Sequence, residues 1–135
     1  MKFLYWLDTV SFLAFGGFAL TRWNWRAWYL AWMGIALAGF LCWTVARLQL
    51  GKSFTPRAEA RALVTTGLYA KFRHPVYLFG LVAYLGVFLA LHWSIALVFF
   101  LILYSTQLLR IRKENAVLEQ AFGEEYRRYK ASTWL

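Results

Sequence analysis

Arg73-His74-Pro75-Val76-Tyr77 gathers a guanidinium, an imidazole and a phenol in one pentapeptide. Proline lacks an N–H and has its φ pre-set for the first turn of a helix, so backbone donors there can face a ligand. Arg73 offers a planar cation suited to a carboxylate, and His74 a neutral donor or acceptor. Tyr77 adds a hydroxyl one turn further in. Such a set can hold a zwitterionic ligand. The same residues also suit a membrane edge with no ligand, Arg73 reaching for headgroups and His74 and Tyr77 lying at the interface.

Glu114 is the second candidate. It repeats with Leu118 and Phe122 at four-residue spacing, which predicts that it shares the apolar, inward face of a helix. A carboxylate on such a face needs a cation, a hydrogen-bond donor or a ligand hydroxyl to offset its desolvation. Arg110, one turn earlier, is the local partner for that charge. Glu119, Glu124 and Glu125 are expected to be solvated or paired with Arg127 and Arg128. Tyr126 and Tyr129 form a further face three residues apart, beyond an interruption expected at Gly123.

Other chemistries lack their residues. No Gly-rich loop opens a helix after a strand, so neither a soluble dinucleotide fold nor a P-loop is indicated. Two histidines and Cys42, widely spaced, do not make a zinc site, and no metal is expected. No nucleophile elbow is present for a Ser-His-Asp hydrolase. The basic segments lack the signatures of a nucleic-acid module, and no nucleic-acid partner is expected.

The elements that must position these residues follow from composition. Of 135 residues, 61% are apolar and only 16% charged, with a net charge of +9. So small a globule cannot hide that much apolar surface. The expected class is all-α: a polytopic membrane protein with four transmembrane helices, a short cytoplasmic amphipathic segment and a C-terminal helix. One domain, 1–135, is expected, with spans near 3–21, 27–46, 75–91 and 93–109 and cytoplasmic segments 47–74 and 110–135. Residues 27–46 are charge-free over about the length that crosses a hydrocarbon core of roughly 30 Å. The longer charge-free run after Pro75 is expected to break near His92-Trp93, and Asp8 to lie near the headgroups. On this topology all lysines and arginines except Arg22 and Arg26 share one side with both termini, and the positive-inside rule makes that side the cytoplasm.

The motifs also carry a resemblance. Gly67-Leu68-Tyr69, the Arg-His-Pro-x-Tyr pentapeptide, and Glu114 followed by Phe122-Gly123, Tyr126 and Tyr129 resemble the isoprenylcysteine carboxyl methyltransferase family, with which phospholipid N-methyltransferases are grouped. The likeness runs from about residue 64 to 129. It implies an S-adenosylmethionine-dependent membrane methyltransferase acting on the carboxylate, amine or thiol of a lipophilic acceptor, with membrane lipids as surroundings and the oligomeric state open. By position, Arg73, His74, Pro75 and Tyr77 would bind the cofactor, with Tyr69 walling the pocket and Glu114 holding a cofactor hydroxyl or amine. Arg110 and Glu114 are the implied catalytic pair, Arg110 orienting the acceptor. The chain departs from the family pattern at Phe79, where a glycine is frequent, at Asn115, where a second acid is frequent, and in its final residues. Membrane sterol reductases share a related pentapeptide, so a nicotinamide-dependent reductase is the alternative enzyme. A small four-helix transporter is the non-enzymatic one.

Overall fold

The computed structural model describes residues 2–23, 25–51, 63–91 and 94–134, with side chains left out at 2–8 and 94–97. The break expected at His92-Trp93, the side chains of Lys2 and Asp8, and the basic residues Lys52, Arg57 and Arg61 lie outside that description.

The fold is all-helical. Among the described residues there are four helices, α1 (Lys2–Thr21), α2 (Ala27–Leu50), α3 (Pro75–Ala90) and α4 (Ser94–Ser132), with a 3-10 turn at Gly67–Ala70. One of them, α2, is long and apolar enough to cross a membrane by length and composition. It runs to Leu50, past the expected end at 46, because Arg47 and Gln49 are good helix formers. It stops at Gly51, whose positive φ of 51° lets its N–H reach back to the Arg47 carbonyl.

A second difference concerns the tail. Residues after 109 do not begin a new helix; α4 continues through the charged sequence without a break. Lys, Arg, Glu and Gln propagate a helix as well as apolar residues do, so a change of polarity is no stop signal. The interruption comes at Gly123, with φ 49° and ψ −117°. There the chain turns and a short C-terminal arm leads back toward the start of α3. Arg127 spans the kink, meeting Glu119 at 3.0 Å and Glu124 at 3.7 Å.

Helices α2 and α3 share the largest interface. Their backbones approach closely where glycine faces alanine in both directions. A Cβ on Gly39 would lie 2.8 Å from the Ala83 nitrogen, and one on Gly86 would lie 2.6 Å from the Ala36 nitrogen. Such small-residue contacts let helices pack by van der Waals contact without bulky side chains between them. Helix α1 joins through aromatics, with Phe12 stacked on Phe40 at 4.4 Å and Phe15 edge-on to Phe88 at 5.5 Å. The Tyr29 hydroxyl donates to the Ala19 carbonyl at 2.6 Å and ties the end of α1 to the start of α2. Large apolar side chains such as Leu37, Leu41, Leu101, Ile102 and Leu109 point outward and stay more than half exposed.

Candidate active site

The first wall of the site is built by the 3-10 turn. Gly67 takes φ +63° and presses against Gln49, whose side-chain oxygen accepts the Leu68 N–H at 2.8 Å. This fixes the turn to the end of α2 and drives Tyr69 into a core cluster with Trp43, Ala46 and Val76. Burial pushes the Tyr69 phenol far up, and the Glu114 charge adds to the rise. The Tyr69 carbonyl accepts the Tyr129 hydroxyl at 2.7 Å, so the C-terminal arm is pinned to the same turn.

The pentapeptide is held from behind by the end of the chain. Trp134 donates its N–H to the Lys71 carbonyl at 2.8 Å and accepts the Arg73 N–H at 2.9 Å. Arg73 then turns its guanidinium toward the arm, where one terminal nitrogen reaches the Lys130 carbonyl at 3.4 Å. Its Nε is buried and has no hydrogen-bond partner among the described residues. Pro75 opens α3 at the first helical position and is fully buried, so its part is to start the helix.

His74 precedes that proline and is 6% exposed. Its Nε2 lies 2.8 Å from the side-chain oxygen of Asn115, which also accepts the Tyr126 hydroxyl. Its Nδ1 faces Glu114 Oε2 at 3.7 Å, too far for a hydrogen bond. Burial lowers the His74 pKa to about 4; the Asn115 contact works against this, and the Arg73 charge adds to it. The ring is therefore neutral at physiological pH. Glu114 is raised by burial, while a hydrogen bond with Tyr77 and the Arg110 charge pull it back. Although a third of the Glu114 side chain is exposed, Oε2 itself is buried without a hydrogen-bond partner among the described residues.

Tyr77 and Arg110 connect this polar cluster to an apolar one. The Arg110 guanidinium lies 5.4 Å over the Tyr77 ring, and the Tyr77 ring is 5.8 Å from that of His74. Both side chains line a cleft that runs between the helices. Gln107 lines it with them, and its side-chain oxygen is buried and unpartnered among the described residues. Phe12, Phe40, Trp43 and Tyr84 form the apolar walls. Phe12 and Phe40 also border a wider apolar groove between α1 and α2.

The tertiary structure thus brings Tyr69, His74, Tyr77, Arg110 and Glu114 to one locus, with Arg73 at its edge and Pro75 beneath it. Gln107 and Asn115 join them, and neither was singled out as a site residue from the sequence. Gln107 precedes Arg110 by three residues and Glu114 by seven, a one-face helical spacing that would have found it. Asn115 has no such signal, since it meets His74 across α3 and α4. Phe79 packs on the Trp43 cluster and edge-on to Phe72 at 5.5 Å, so the departure there fills the core rather than the cleft. Gly80, beside Trp43, lines the cleft in its place.

Comparison with known proteins adds two findings. A family model described as phospholipid methyltransferase matches residues 27–125. A protein-S-isoprenylcysteine O-methyltransferase of Schizosaccharomyces pombe is 35% identical over 103 residues, covering 68% of this chain and 44% of that protein. The chain therefore spans under half the length of this relative.

Proposed function

Because the chain belongs to the phospholipid methyltransferase family, we propose that it transfers a methyl group from S-adenosylmethionine to the carboxylate, amine or thiol of a lipid-like acceptor. Its setting in this reading is the membrane, crossed four times, with both termini on the cytoplasmic side. The outward apolar faces of α2 and α4 support that setting, and on this topology the positive-inside rule makes the side richer in basic residues the cytoplasm. The family match favours neither a nicotinamide-dependent reductase nor a transporter.

The observation that carries the reading is Glu114 Oε2. A buried carboxylate oxygen without a donor is costly unless a ligand satisfies it. It stands beside a neutral histidine, with the buried Arg73 Nε a second unsatisfied group. A carboxylate acceptor, a cationic donor and aromatic walls suit a cofactor that is zwitterionic at one end and carries a ribose and a base at the other. Arg73, His74 and Tyr77 would contact its methionine and adenosyl parts, Tyr69 would wall it in, and Glu114 would hold a hydroxyl or amine. When bound, the cofactor supplies an electrophilic methyl carbon.

The chain's own task is alignment and exclusion of water. Arg110 and Gln107, polar residues of the cleft, orient the acceptor headgroup, while Phe12, Phe40 and Tyr84 receive its hydrocarbon. A carboxylate or thiolate acceptor needs no base. An amine must be neutral when it attacks, and Glu114 is the carboxylate within reach to take its proton.

Binding of radiolabelled S-adenosylmethionine to detergent-purified protein tests the assignment. Saturable binding is expected for the wild type, with His74→Ala and Glu114→Ala weaker by about tenfold or more, the scale of losing one buried polar contact. Absence of saturable binding, or variants that bind as well as wild type, would overturn it.

A further inference from the structure

One oxygen decides how His74 presents itself. Asn115 Oδ1 is an acceptor and cannot donate, and the Tyr126 hydroxyl already gives it one proton. The Nε2 of His74, 2.8 Å away, can complete that contact only by carrying a hydrogen. In a neutral ring the other nitrogen is then bare. That nitrogen, Nδ1, points at Glu114 Oε2, itself buried and unpartnered among the described residues. With Glu114 ionised, two acceptors thus stand 3.7 Å apart, and neither then has a proton to share.

We propose that Asn115 is a positioning residue: held by Tyr126, it takes the Nε2 proton of His74 and so keeps Nδ1 as a bare acceptor beside Glu114, making the pair a receptor for a proton-donating group of the ligand, a hydroxyl or an amine. The inference rests on the cluster being the ligand site. Its first half, the protonation pattern of His74, concerns the protein alone.

The charged and titratable groups facing His74 come from every element around it: Arg73 on its own segment, Tyr77 on α3, Glu114 on α4, and Tyr126 on the arm beyond Gly123. Arg73 disfavours a charged ring, and Glu114 is the one neighbour among these that would favour it. An amide at 115 leaves that balance toward the neutral form. A side chain without an acceptor there would remove the contact that fixes the proton on Nε2 and let the ring carry it on Nδ1, facing Glu114. The acceptor offered to the ligand would be lost without any change in His74 or Glu114 themselves.

Nitrogen-15 spectra of histidine-labelled full-length protein in detergent micelles test this, with the His74 signal identified by its loss in His74→Gln. The expected wild-type ring at pH 7 is neutral with its proton on Nε2. Asn115→Leu, which removes the acceptor, is expected to move the ring proton toward Nδ1 at pH 7 and to bind S-adenosylhomocysteine about tenfold or more weakly. A wild-type ring that is charged or carries its proton on Nδ1, as a reversed Asn115 amide would require, overturns the proposal even if no variant folds. So does an Asn115→Leu ring that keeps its proton on Nε2, or one that moves it to Nδ1 with undiminished S-adenosylhomocysteine affinity. Failure of the methyltransferase reading would show differently, as absent cofactor binding with the wild-type ring pattern intact.

Discussion

The backbone of Trp134 brackets that of Arg73, accepting its N–H at 2.9 Å while donating to Lys71 at 2.8 Å. Two short backbone contacts therefore connect the end of the described chain to the segment carrying the cationic and imidazole groups of the site. Each such bond contributes on the order of 1 kcal/mol. Deleting residues 133–135 is expected to lower S-adenosylmethionine affinity by roughly tenfold while leaving the helical content unchanged. Calorimetric titration alongside circular dichroism measures both.

The division of the site between cofactor and acceptor predicts a kinetic split. Arg110 and Gln107 line the cleft, whereas Glu114 and His74 face each other outside its lining. Arg110→Ala is expected to raise KM for the acceptor with cofactor affinity within about twofold of wild type, since it removes binding only on that side. Glu114→Gln is expected to weaken cofactor binding. Steady-state methyl transfer combined with direct binding separates the two.

The hydroxyl of Tyr129 is a small group with a structural consequence. It satisfies the Tyr69 carbonyl from a ring that is 8% exposed. Tyr129→Phe leaves that carbonyl unpaired and is expected to cost about 1–3 kcal/mol. A lowered Tm in detergent, with the Tyr129 variant losing cofactor affinity through a displaced Tyr69, would report it.

The glycines of the α2–α3 contact predict a graded series. Gly86→Ala and Gly39→Ala each force a Cβ into backbone of the facing helix, and overpacking of this kind costs about 1–3 kcal/mol. Gly34, on α2, is the control, because a Cβ added there would meet nothing within 4 Å. Gly34→Ala is expected to be neutral or slightly stabilising through helix propensity. Tm values of the three variants in one detergent decide the order.

His74 gives the pH dependence a sign. Its ring titrates near 4 in the folded protein against 6.5 in an ordinary setting. Above pH 6.5 it is neutral in both states. As the pH falls from there toward 4, the unfolded chain binds a proton that the folded chain refuses, so stability is lost, about 3 kcal/mol over the whole window. Glu114, raised in the folded state, acts oppositely: above its ordinary value of 4.5 it disfavours folding as pH rises through its own folded pKa. Acidification from pH 6.5 to 5 is expected to lower Tm less in His74→Gln than in wild type, as thermal melts across that range would show.

Much of the outline was legible in the sequence because it depends on local rules. The apolar runs set where helices form, Pro75 where α3 begins, and Gly123 where the last helix turns. Helical spacing alone put Arg110 and Glu114 on one face. The motif residues of the pentapeptide and of α4 were recognisable by type and order before any of them was seen to meet.

What the sequence could not decide was which long-range partners each polar group would find. His74 and Asn115 are 41 residues apart, and Tyr129 and Tyr69 60. Neither pairing follows from periodicity, because periodicity describes one element and these contacts join two. Asn115 and Phe79 each looked like a departure from a pattern; the first proved to be the partner of His74 and the second to be core. Residue types and helix boundaries were thus determined by the chain itself. The neutral histidine, the unsatisfied Glu114 oxygen and the apolar cleft behind Tyr77 exist only once α3, α4 and the returning arm are packed together, because burial and partner geometry are properties of the assembled fold.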